Sequence, residues 1–364
     1  MKAWRALGNG RLELQDLPAP RPAAGGVVLR MQAASMLSYL RQVLDGSLGY
    51  DTPPRPFTPG TNGIGVVEAV GAGVYHLAPG QRVTLDPHLV ANEPVAEPAQ
   101  ILLGLTGMRA SETGRPHGPT KALQASWPDG TYAEMVHMPA AVATPLPAAL
   151  DAMPAAKLAA IAKFAVPYGG LLRMNLQAGE TIVVNGATGY FGGAGALLAL
   201  ALGAGRVVAA GRDAKALDDL AGAAGPRLVP VALSGEVGRD VDALRAAAGG
   251  GADCALDLVG RADSANATLA ALRSLRRGGR LALMGSVRQP LPLTVGEMLG
   301  QDWTVMGVFM YPRDAPARLA RLIAAGQLDL GLIRERAFPL ADIEAAMDAA
   351  AKMRSRDLTV LTMD

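Results

Sequence analysis

Residues 181–195 read TIVVNGATGYFGGAG, which is a strand-like run, a glycine-rich turn and the start of an apolar helix. Ala187, Gly189 and Gly192 occupy the three small-residue positions of a dinucleotide-binding turn, with Gly186 as an additional glycine ahead of them. The first position permits a tight turn off the strand, the second lets backbone N–H groups approach a pyrophosphate, and the third lets the helix pack close to the sheet. The helix that follows would direct unpaired N–H groups and its positive dipole end at the phosphates. The stretch therefore predicts a nucleotide site formed by Asn185, Gly186, Ala187, Thr188, Gly189, Tyr190, Phe191 and Gly192.

A second strand-like run, RVVAAG at 206–211, follows at the distance that one strand–helix–strand unit requires. An NAD site ordinarily places a carboxylate about 20 residues beyond the turn, where it accepts hydrogen bonds from the ribose 2′-OH. This chain has Gly211 there, followed by Arg212, whose guanidinium could bind a phosphate through two parallel N–H bonds. Asp213 is better explained as the N-cap of the next helix. The pattern favours NADP(H) over NAD(H), and the alternative is that Arg212 is a solvated loop residue.

The composition is that of a globular protein with balanced charge. Half of the 364 residues are hydrophobic (50%), which allows a sizeable core and two domains. The 34 basic and 32 acidic side chains give a net charge of +2, which favours neither a nucleic-acid nor a membrane partner. The single cysteine, Cys254, excludes an internal disulfide and fits a reducing compartment. No apolar leader and no apolar run near the roughly 20 residues of a spanning helix is evident. We therefore expect a cytoplasmic protein.

The hydrophobic pattern changes near residue 154. Before that point, short alternating runs are broken by Pro and Gly, which predicts a β-rich domain with a long irregular stretch at 86–130. After it, strands and helices alternate up to about residue 308, which is typical of an open parallel sheet with helices on both faces. Two amphipathic helices, near 315–325 and 340–350, and a final strand at 358–363 complete the chain. The predicted fold class is α/β, a β-rich domain followed by a doubly wound parallel sheet.

Phrases along essentially the whole chain resemble the medium-chain dehydrogenase/reductase superfamily. They include PFTPGTNGIGVVEAVGAGV (56–74), PGQRV (79–83), DGTYAEMV (129–136), QAGETIVVNGATG (177–189), ADCALDLVG (252–260) and RRGGRLALMG (276–285). The resemblance implies a GroES-like catalytic domain over 1–153, completed by 302–364, and a Rossmann NADP-binding domain over 154–301. It also implies that Met284, Gly285, Ser286, Gly307, Val308 and Phe309 flank the nicotinamide, and that the protein is a homodimer or homotetramer.

The zinc alcohol dehydrogenases of this superfamily have metal ligands that this chain lacks. The resemblance puts Leu37 at the first Cys position and Gly60-Thr61-Asn62 in place of a Gly-His-Glu phrase, and KFAVP (163–167) offers neither Cys nor Asp. A catalytic zinc ion needs about three N, S or O side chains. The structural zinc lobe would need cysteines within 86–107, which has none, and the histidines His76, His88, His117 and His137 have no metal spacing. We expect no metal, which makes the chain similar to the quinone oxidoreductase and enoyl reductase branches.

Three side chains are candidates for the chemistry by this resemblance. Tyr39 falls where zinc relatives carry a proton-relaying Ser or Thr, and a phenol can donate a hydrogen bond or a proton. Its alternative role is to pack under the cofactor. Asn62 could orient a carbonyl or close a turn, and His88 could be an acid at the cleft edge or a solvated loop residue. Each would act beside a nicotinamide that supplies the hydride.

Three functions follow, all of which need NADP(H). The first is a zinc-independent reductase that transfers hydride to an activated C=C or a quinone. The second is a zinc-free carbonyl reductase or alcohol dehydrogenase, with Tyr39 as the proton donor. The third is an NADPH-binding protein without turnover. The partner in the first two is a small-molecule carbonyl, enone or quinone, and the sequence does not name it.

Overall fold

The computed structural model describes residues 1–108, 118–260 and 262–363. The chain divides into two compact units, which we call unit 1 and unit 2. Unit 1 comprises Met1–Ala162, Glu335–Lys352 and Leu358–Asp364, and unit 2 comprises Lys163–Arg334 and Met353–Asp357. The return to the first domain is expected from the sequence at residue 302, whereas residues up to Arg334 group with unit 2. One reason is the close approach of Met310, whose carbonyl oxygen lies 1.9 Å from the position that a Cβ on Gly169 would take.

The part of the chain before residue 160 is built mainly from short strands. They are β1 (Lys2–Gly8), β2 (Arg11–Asp16), β3 (Gly26–Ser35), β4 (Asn62–Val70), β5 (Arg82–Leu85), β6 (His88–Val90), β7 (Gln100–Leu102), β8 (Thr106–Gly107), β9 (Met135–Pro139) and β10 (Ala143–Pro145). The helices are α1 (Leu40–Leu44), α2 (Gly118–Ser126) and α3 (Ala155–Leu158), with 3-10 turns at Ala140–Val142 and Ala148–Leu150. The β-rich character predicted from the broken alternation is confirmed.

The stretch 86–130 is more regular than the sequence analysis predicts. Strands β6, β7 and β8 form a small antiparallel sheet within it, and α2 follows. Leu89, Ile101 and Leu103 are buried there, so a small apolar core organises the stretch. The prediction of an irregular loop was wrong because Pro and Gly divide the stretch into strands of two or three residues, too short to show alternation. Residues 109–117 lie outside the described part of the chain.

Unit 2 alternates strands and helices. Its strands are β11 (Thr181–Asn185), β12 (Arg206–Gly211), β13 (Leu228–Ala232), β14 (Ala252–Asp257), β15 (Leu275–Leu283) and β16 (Thr304–Gly307). Its helices are α4 (Ile161–Arg173), α5 (Tyr190–Ala201), α6 (Ala214–Ala224), α7 (Val237–Ala248), α8 (Asn266–Arg273), α9 (Val295–Gln301) and α10 (Ala315–Ala324), with a 3-10 turn at Leu330–Leu332. The chain then returns to unit 1 through β17 (Arg334–Pro339), a 3-10 turn at Leu340–Asp342, α11 (Ile343–Ala350) and β18 (Asp357–Thr362).

The sheet of unit 2 is parallel, with the strand order β13-β12-β11-β14-β15-β16. Its strands are apolar on both faces, as the consecutive buried residues Ile182, Val183 and Val184 of β11 show. Such runs are typical of parallel strands that are covered by helices. The order reverses between β11 and β14, and a doubly wound sheet of this order binds ligands at the carboxyl ends of its strands beside that reversal. The predicted α/β fold class is confirmed.

Unit 1 is organised around a seven-stranded sheet. Its order is β10-β5-β4-β3-β18-β17, and β9 also pairs with β3. Strands β1 and β2 form a separate hairpin. The core beneath the main sheet contains Val27, Leu29, Met31, Val83 and Leu85, all of which are buried. The sheet holds β3, β4 and β5 in fixed register, and this register decides which loops meet at its edges.

The helical run Ala155–Arg173 is long and apolar enough to cross a membrane by length and composition. It has 19 residues, and its 18-residue apolar window has a mean hydropathy of 1.2. Of that window, 67% is buried inside the protein. This run is not expected from the sequence, because Pro167 falls within α4 and divides the apolar residues. A mostly buried helix of this kind is what the core of a globular protein also contains, so one such run is weak grounds for a membrane span.

A matched pair of valines tests the packing of unit 2. Val208 is fully buried in β12, whereas Val95 is 57% exposed. We expect Val208→Ala to lower the free energy of unfolding by about 2 kcal/mol, from lost apolar burial and the cavity left behind. Val95→Ala should change it by less than about 0.5 kcal/mol. Urea unfolding followed by circular dichroism measures both, and equal effects would contradict the core assignment.

Candidate functional site

The glycine-rich turn connects the end of β11 to the first turn of α5. Gly186 has φ +81°, a conformation that favours glycine, and Gly189 is the N-cap of α5 without a side-chain hydrogen bond to the helix. Gly189 therefore does not cap the first-turn N–H groups of α5, and these groups could donate hydrogen bonds to an anion. This is the geometry that the predicted pyrophosphate site requires, and nucleotide binding there stays a prediction.

Gly192 packs directly on the turn that precedes it. A Cβ at this position would lie 2.0 Å from the Gly186 carbonyl oxygen and 2.8 Å from the Ala187 Cα atom. Both are backbone atoms, so a larger residue could enter only if the turn moved away from the helix. The close packing assigned to the third small residue is thus a physical requirement of this turn.

The end of β12 also packs closely against the turn. A Cβ on Gly211 would lie 2.6 Å from Cγ2 and 3.0 Å from Oγ1 of Thr188. An acidic side chain at residue 211 therefore has no room while Thr188 keeps this rotamer. Arg212 is exposed next to it. Asp213 accepts a hydrogen bond from the Ala216 N–H at 3.1 Å, which confirms its predicted role as the N-cap of α6.

Asp257, which the sequence analysis missed, joins the strand ends around the turn. Its side chain is buried and accepts hydrogen bonds from Asn185 Nδ2 at 2.7 Å and from Thr268 Oγ1 at 2.9 Å. Its main-chain carbonyl accepts the N–H groups of Met284 and Gly285, both at 3.0 Å. Burial raises the pKa of the Asp257 carboxyl to about 6. The one signal in the sequence is an acidic residue at the end of an apolar strand.

The segments predicted to flank the nicotinamide follow strand ends that lie level with the end of β11, where the glycine-rich turn begins. The strand register aligns Asn185 with Asp257, Asp257 with Leu283, and Leu283 with Gly307. Met284, Gly285 and Ser286 follow Leu283, and Val308 and Phe309 follow Gly307. The Val308 N–H donates to the Leu283 carbonyl at 3.0 Å, and Phe309 is 61% exposed. Unit 2 therefore brings all of its predicted cofactor segments to one edge of the sheet.

Unit 1 brings its three predicted catalytic residues to one edge as well. Ser35 pairs with Asn62, and Gly63 pairs with Leu85, so β3 ends, β4 begins and β5 ends at the same edge. Tyr39 follows the first of these ends, Asn62 stands at the second, and His88 follows the third. We call the segments 36–39, 60–62 and 86–88 the edge cluster.

The side chains of the edge cluster have defined contacts. The half-buried Tyr39 ring packs edge-on against Tyr50, with centroids 6.1 Å apart. Asn62 Nδ2 donates to the Leu85 carbonyl at 3.3 Å, so it joins the start of β4 to the end of β5 and does not close a turn. His88 Nε2 lies 3.1 Å from Gln100 Oε1. Neither neighbour could be predicted from the sequence, because Tyr50 lies in the loop after α1 and Gln100 lies in β7. The catalytic roles of Tyr39, Asn62 and His88 stay predictions.

The residues of the edge cluster do not fit a zinc ion. Leu37 has no donor atom, and Thr61 and Asn62 stand where the resemblance would require a His and a Glu. Within residues 1–108, 118–260 and 262–363, no group of three or more His, Cys, Asp or Glu side chains could hold a metal. His76 Nε2 lies within hydrogen-bond distance of the Ala140 carbonyl oxygen, and His137 Nε2 accepts a hydrogen bond from the Ala23 N–H. His117 lies outside the described residues.

Burial raises the pKa of the Cys254 thiol to about 12, which suits a structural thiol.

Two family models match the chain. The alcohol dehydrogenase GroES-like domain matches residues 23–148, and the zinc-binding dehydrogenase domain matches residues 191–325. A sorbitol dehydrogenase of Bacillus subtilis (strain 168) is 24% identical over 99% of this chain and 96% of its own.

Solved structures share the fold. Alcohol dehydrogenase TADH from Thermus sp. ATN1 aligns over 100% of both chains with a TM-score of 0.80 at 22% identity. A protein from Sinorhizobium meliloti 1021, solved bound to NADP, aligns over 100% of this chain and 99% of its own with a TM-score of 0.76 at 22% identity. At such identities the likeness shows the fold alone.

A pair of glycine substitutions tests the turn. Gly192→Ala places a methyl group against the Gly186 carbonyl, whereas a Cβ on Gly222 in α6 would meet nothing within 4 Å. We expect Gly192→Ala to lower the free energy of unfolding by about 1–3 kcal/mol, the usual cost of overpacking. Gly222→Ala should raise it by about 0.5–1 kcal/mol, because alanine favours a helix. A tolerated Gly192→Ala in urea unfolding would show that the turn can move aside.

The buried carboxyl of Asp257 predicts a pH dependence of stability. Its pKa rises from the ordinary 3.8 to about 6 in the folded protein, because burial disfavours the charged form. Its contribution to stability is therefore complete below the unfolded pKa and is lost as the pH rises through about 6. Relative to Asp257→Asn, the native protein should lose up to about 3 kcal/mol between pH 4 and 7. Urea unfolding at several pH values measures this difference, with Asp242→Asn on the exposed face of α7 as the control. A constant difference would contradict it.

Proposed function

We propose that this chain, a member of the medium-chain dehydrogenase/reductase superfamily, is an NADP(H)-dependent oxidoreductase that interconverts an alcohol and a carbonyl compound. The observation that carries the proposal is the row of strand ends at Asn185, Asp257, Leu283 and Gly307, which stands beside the glycine turn. A doubly wound sheet binds a dinucleotide at such an edge.

The residues of unit 2 would hold the coenzyme in three parts. The N–H groups at the start of α5 would bind the pyrophosphate, and Arg212 would bind the 2′-phosphate beside Gly211. The segments 284–286 and 307–309 would line the nicotinamide. The protein from Sinorhizobium meliloti that was solved with NADP supports a nicotinamide coenzyme in this fold. When bound, the coenzyme supplies or accepts the hydride.

The relatives favour a carbonyl or alcohol as the substrate. The sequence alone favours an activated C=C or a quinone. A sorbitol dehydrogenase that matches over nearly its whole length supports the carbonyl or alcohol chemistry of the second hypothesis. We therefore place carbonyl reduction first. The cytoplasmic location and the homodimer or homotetramer stay predictions.

We further propose that the reaction is zinc-independent, because the edge cluster offers no zinc ligand set. In the absence of a Lewis acid, a hydrogen-bond donor has to stabilise the charge that develops on the carbonyl oxygen. The Tyr39 phenol would donate that hydrogen bond and the proton. Asn62 would orient the carbonyl group of the substrate, and His88 would act as an acid at the edge of the cluster.

The test is coenzyme oxidation with a ketose, a simple ketone and a cyclic enone, with NADPH and NADH run in parallel and the products identified. An alcohol as the product with NADPH preferred would support the proposal. A saturated ketone from the enone would move the activity to C=C reduction. A preference for NADH would contradict the assignment of Arg212. NADPH binding without turnover of any acceptor would favour the non-catalytic alternative.

Tyr39→Phe tests the proton donor. If the phenol is the general acid, carbonyl reduction should fall by about 10²–10⁴-fold while NADPH binding is retained. Tyr75→Phe, at a tyrosine that is 94% exposed, is the matched control and should leave the rate unchanged. An unchanged rate of carbonyl reduction in Tyr39→Phe would remove Tyr39 from the mechanism.

A further inference from the structure

Lys163 has no part in the proposed reaction, yet its side chain is completely buried in unit 2. Its Nζ donates hydrogen bonds to the Tyr190 carbonyl at 2.6 Å and to the Asp357 carbonyl at 3.2 Å. It also lies 3.5 Å from the centre of the Tyr190 ring. Two carbonyl oxygens and one aromatic face match the three N–H donors of an ammonium group. The surroundings therefore suit the charged form, although burial lowers the pKa of Lys163 well below its usual range.

Within the described residues no acid pairs directly with this ammonium group, although the charge of Asp357 favours its protonated form. The closest candidate, Asp357, uses its carboxylate for Arg334, 3.1 Å away, and for the Arg354 N–H at 2.9 Å. No ion pair with Lys163 occurs within the described residues. Lysine is almost never fully buried unless it is paired, because an isolated charge is costly to desolvate. A compensating anion from outside the chain would relieve that cost.

The position of Lys163 indicates where such an anion would bind. Tyr190 is the first residue of α5 and follows Gly189 directly, so the ammonium group lies against the start of the helix. On the other side of Gly189, the Thr188 carbonyl accepts the Ser355 N–H at 3.2 Å. The charge of Lys163 adds to the positive dipole end of α5 at the predicted pyrophosphate site. In the interior, such a charge is screened less than it would be in water.

We propose that Lys163 is a positioning residue of the nucleotide site. It holds the turn through the Tyr190 carbonyl, and it supplies a buried positive charge that the pyrophosphate of the coenzyme balances. The assignment rests on the proposed function, since it requires a dinucleotide at this turn. Lys163 acts through the turn and does not touch the reacting atoms.

The experiment compares ligands that differ in charge, by isothermal titration with the full chain. Lys163→Met should weaken NADPH and ADP by about tenfold or more and adenosine by less than about threefold. Lys163→Arg keeps the charge and should restore the ratio of ADP to adenosine affinity. Lys121→Met, at an exposed lysine of α2, is the control for net charge and should change nothing.

Three results would overturn the proposal. Equal weakening of ADP and adenosine would reduce Lys163 to a structural support, and unchanged affinities would remove it from the site. If Lys163→Met does not fold, Lys163→Gln keeps a donor for the Tyr190 carbonyl without the charge and gives the same comparison. A native protein that binds neither NADPH nor ADP would overturn the proposed function together with this inference. Equal NADPH affinity in the native protein and Lys163→Met would overturn the inference alone.

Discussion

The approach of Gly192 to the Gly186 carbonyl is the contact on which the nucleotide unit depends. It sets the distance between α5 and the end of β11, so it determines where the first N–H groups of the helix lie. Asp257 then joins that strand end to β14 and β15, and Lys163 joins the helix start to the segment Met353–Asp357. The first of these links is short because Gly192 has no side chain between the two backbones. The site is thus held by backbone proximity, with polar side chains securing its borders.

Much of unit 2 could be predicted from the sequence, because its strands and helices carry separate and regular periods. The turn, the N-cap at Asp213 and the fold class all follow from local patterns. Asp257 and Lys163 did not, since their significance comes from neighbours 72 and 27 positions away. A lysine in the run KFAVP is indistinguishable from a solvated helix residue until Tyr190 and Asp357 are seen on either side of it. Local patterns contain no information on such pairs.

Unit 1 was harder to anticipate for a different reason. Its strands are short, and loops separate Tyr39, Asn62 and His88 by more than twenty residues each. Only the register of β3, β4 and β5 places them at one edge. The resemblance selected these positions one at a time and could not supply their neighbours, such as Tyr50 and Gln100. The same limit explains why the small sheet within 86–130 was taken for an irregular loop.

The packing of Thr188 against Gly211 has a consequence for how this protein could change over evolution. A coenzyme site of the other type needs an acid at residue 211, and the methyl group of Thr188 occupies the space in which that side chain would begin. A lineage that acquired the acid first would pass through a strained protein, whereas one that first shortened residue 188 would not. The proposed preference for NADP(H) would therefore be protected by the order in which two substitutions would have to occur.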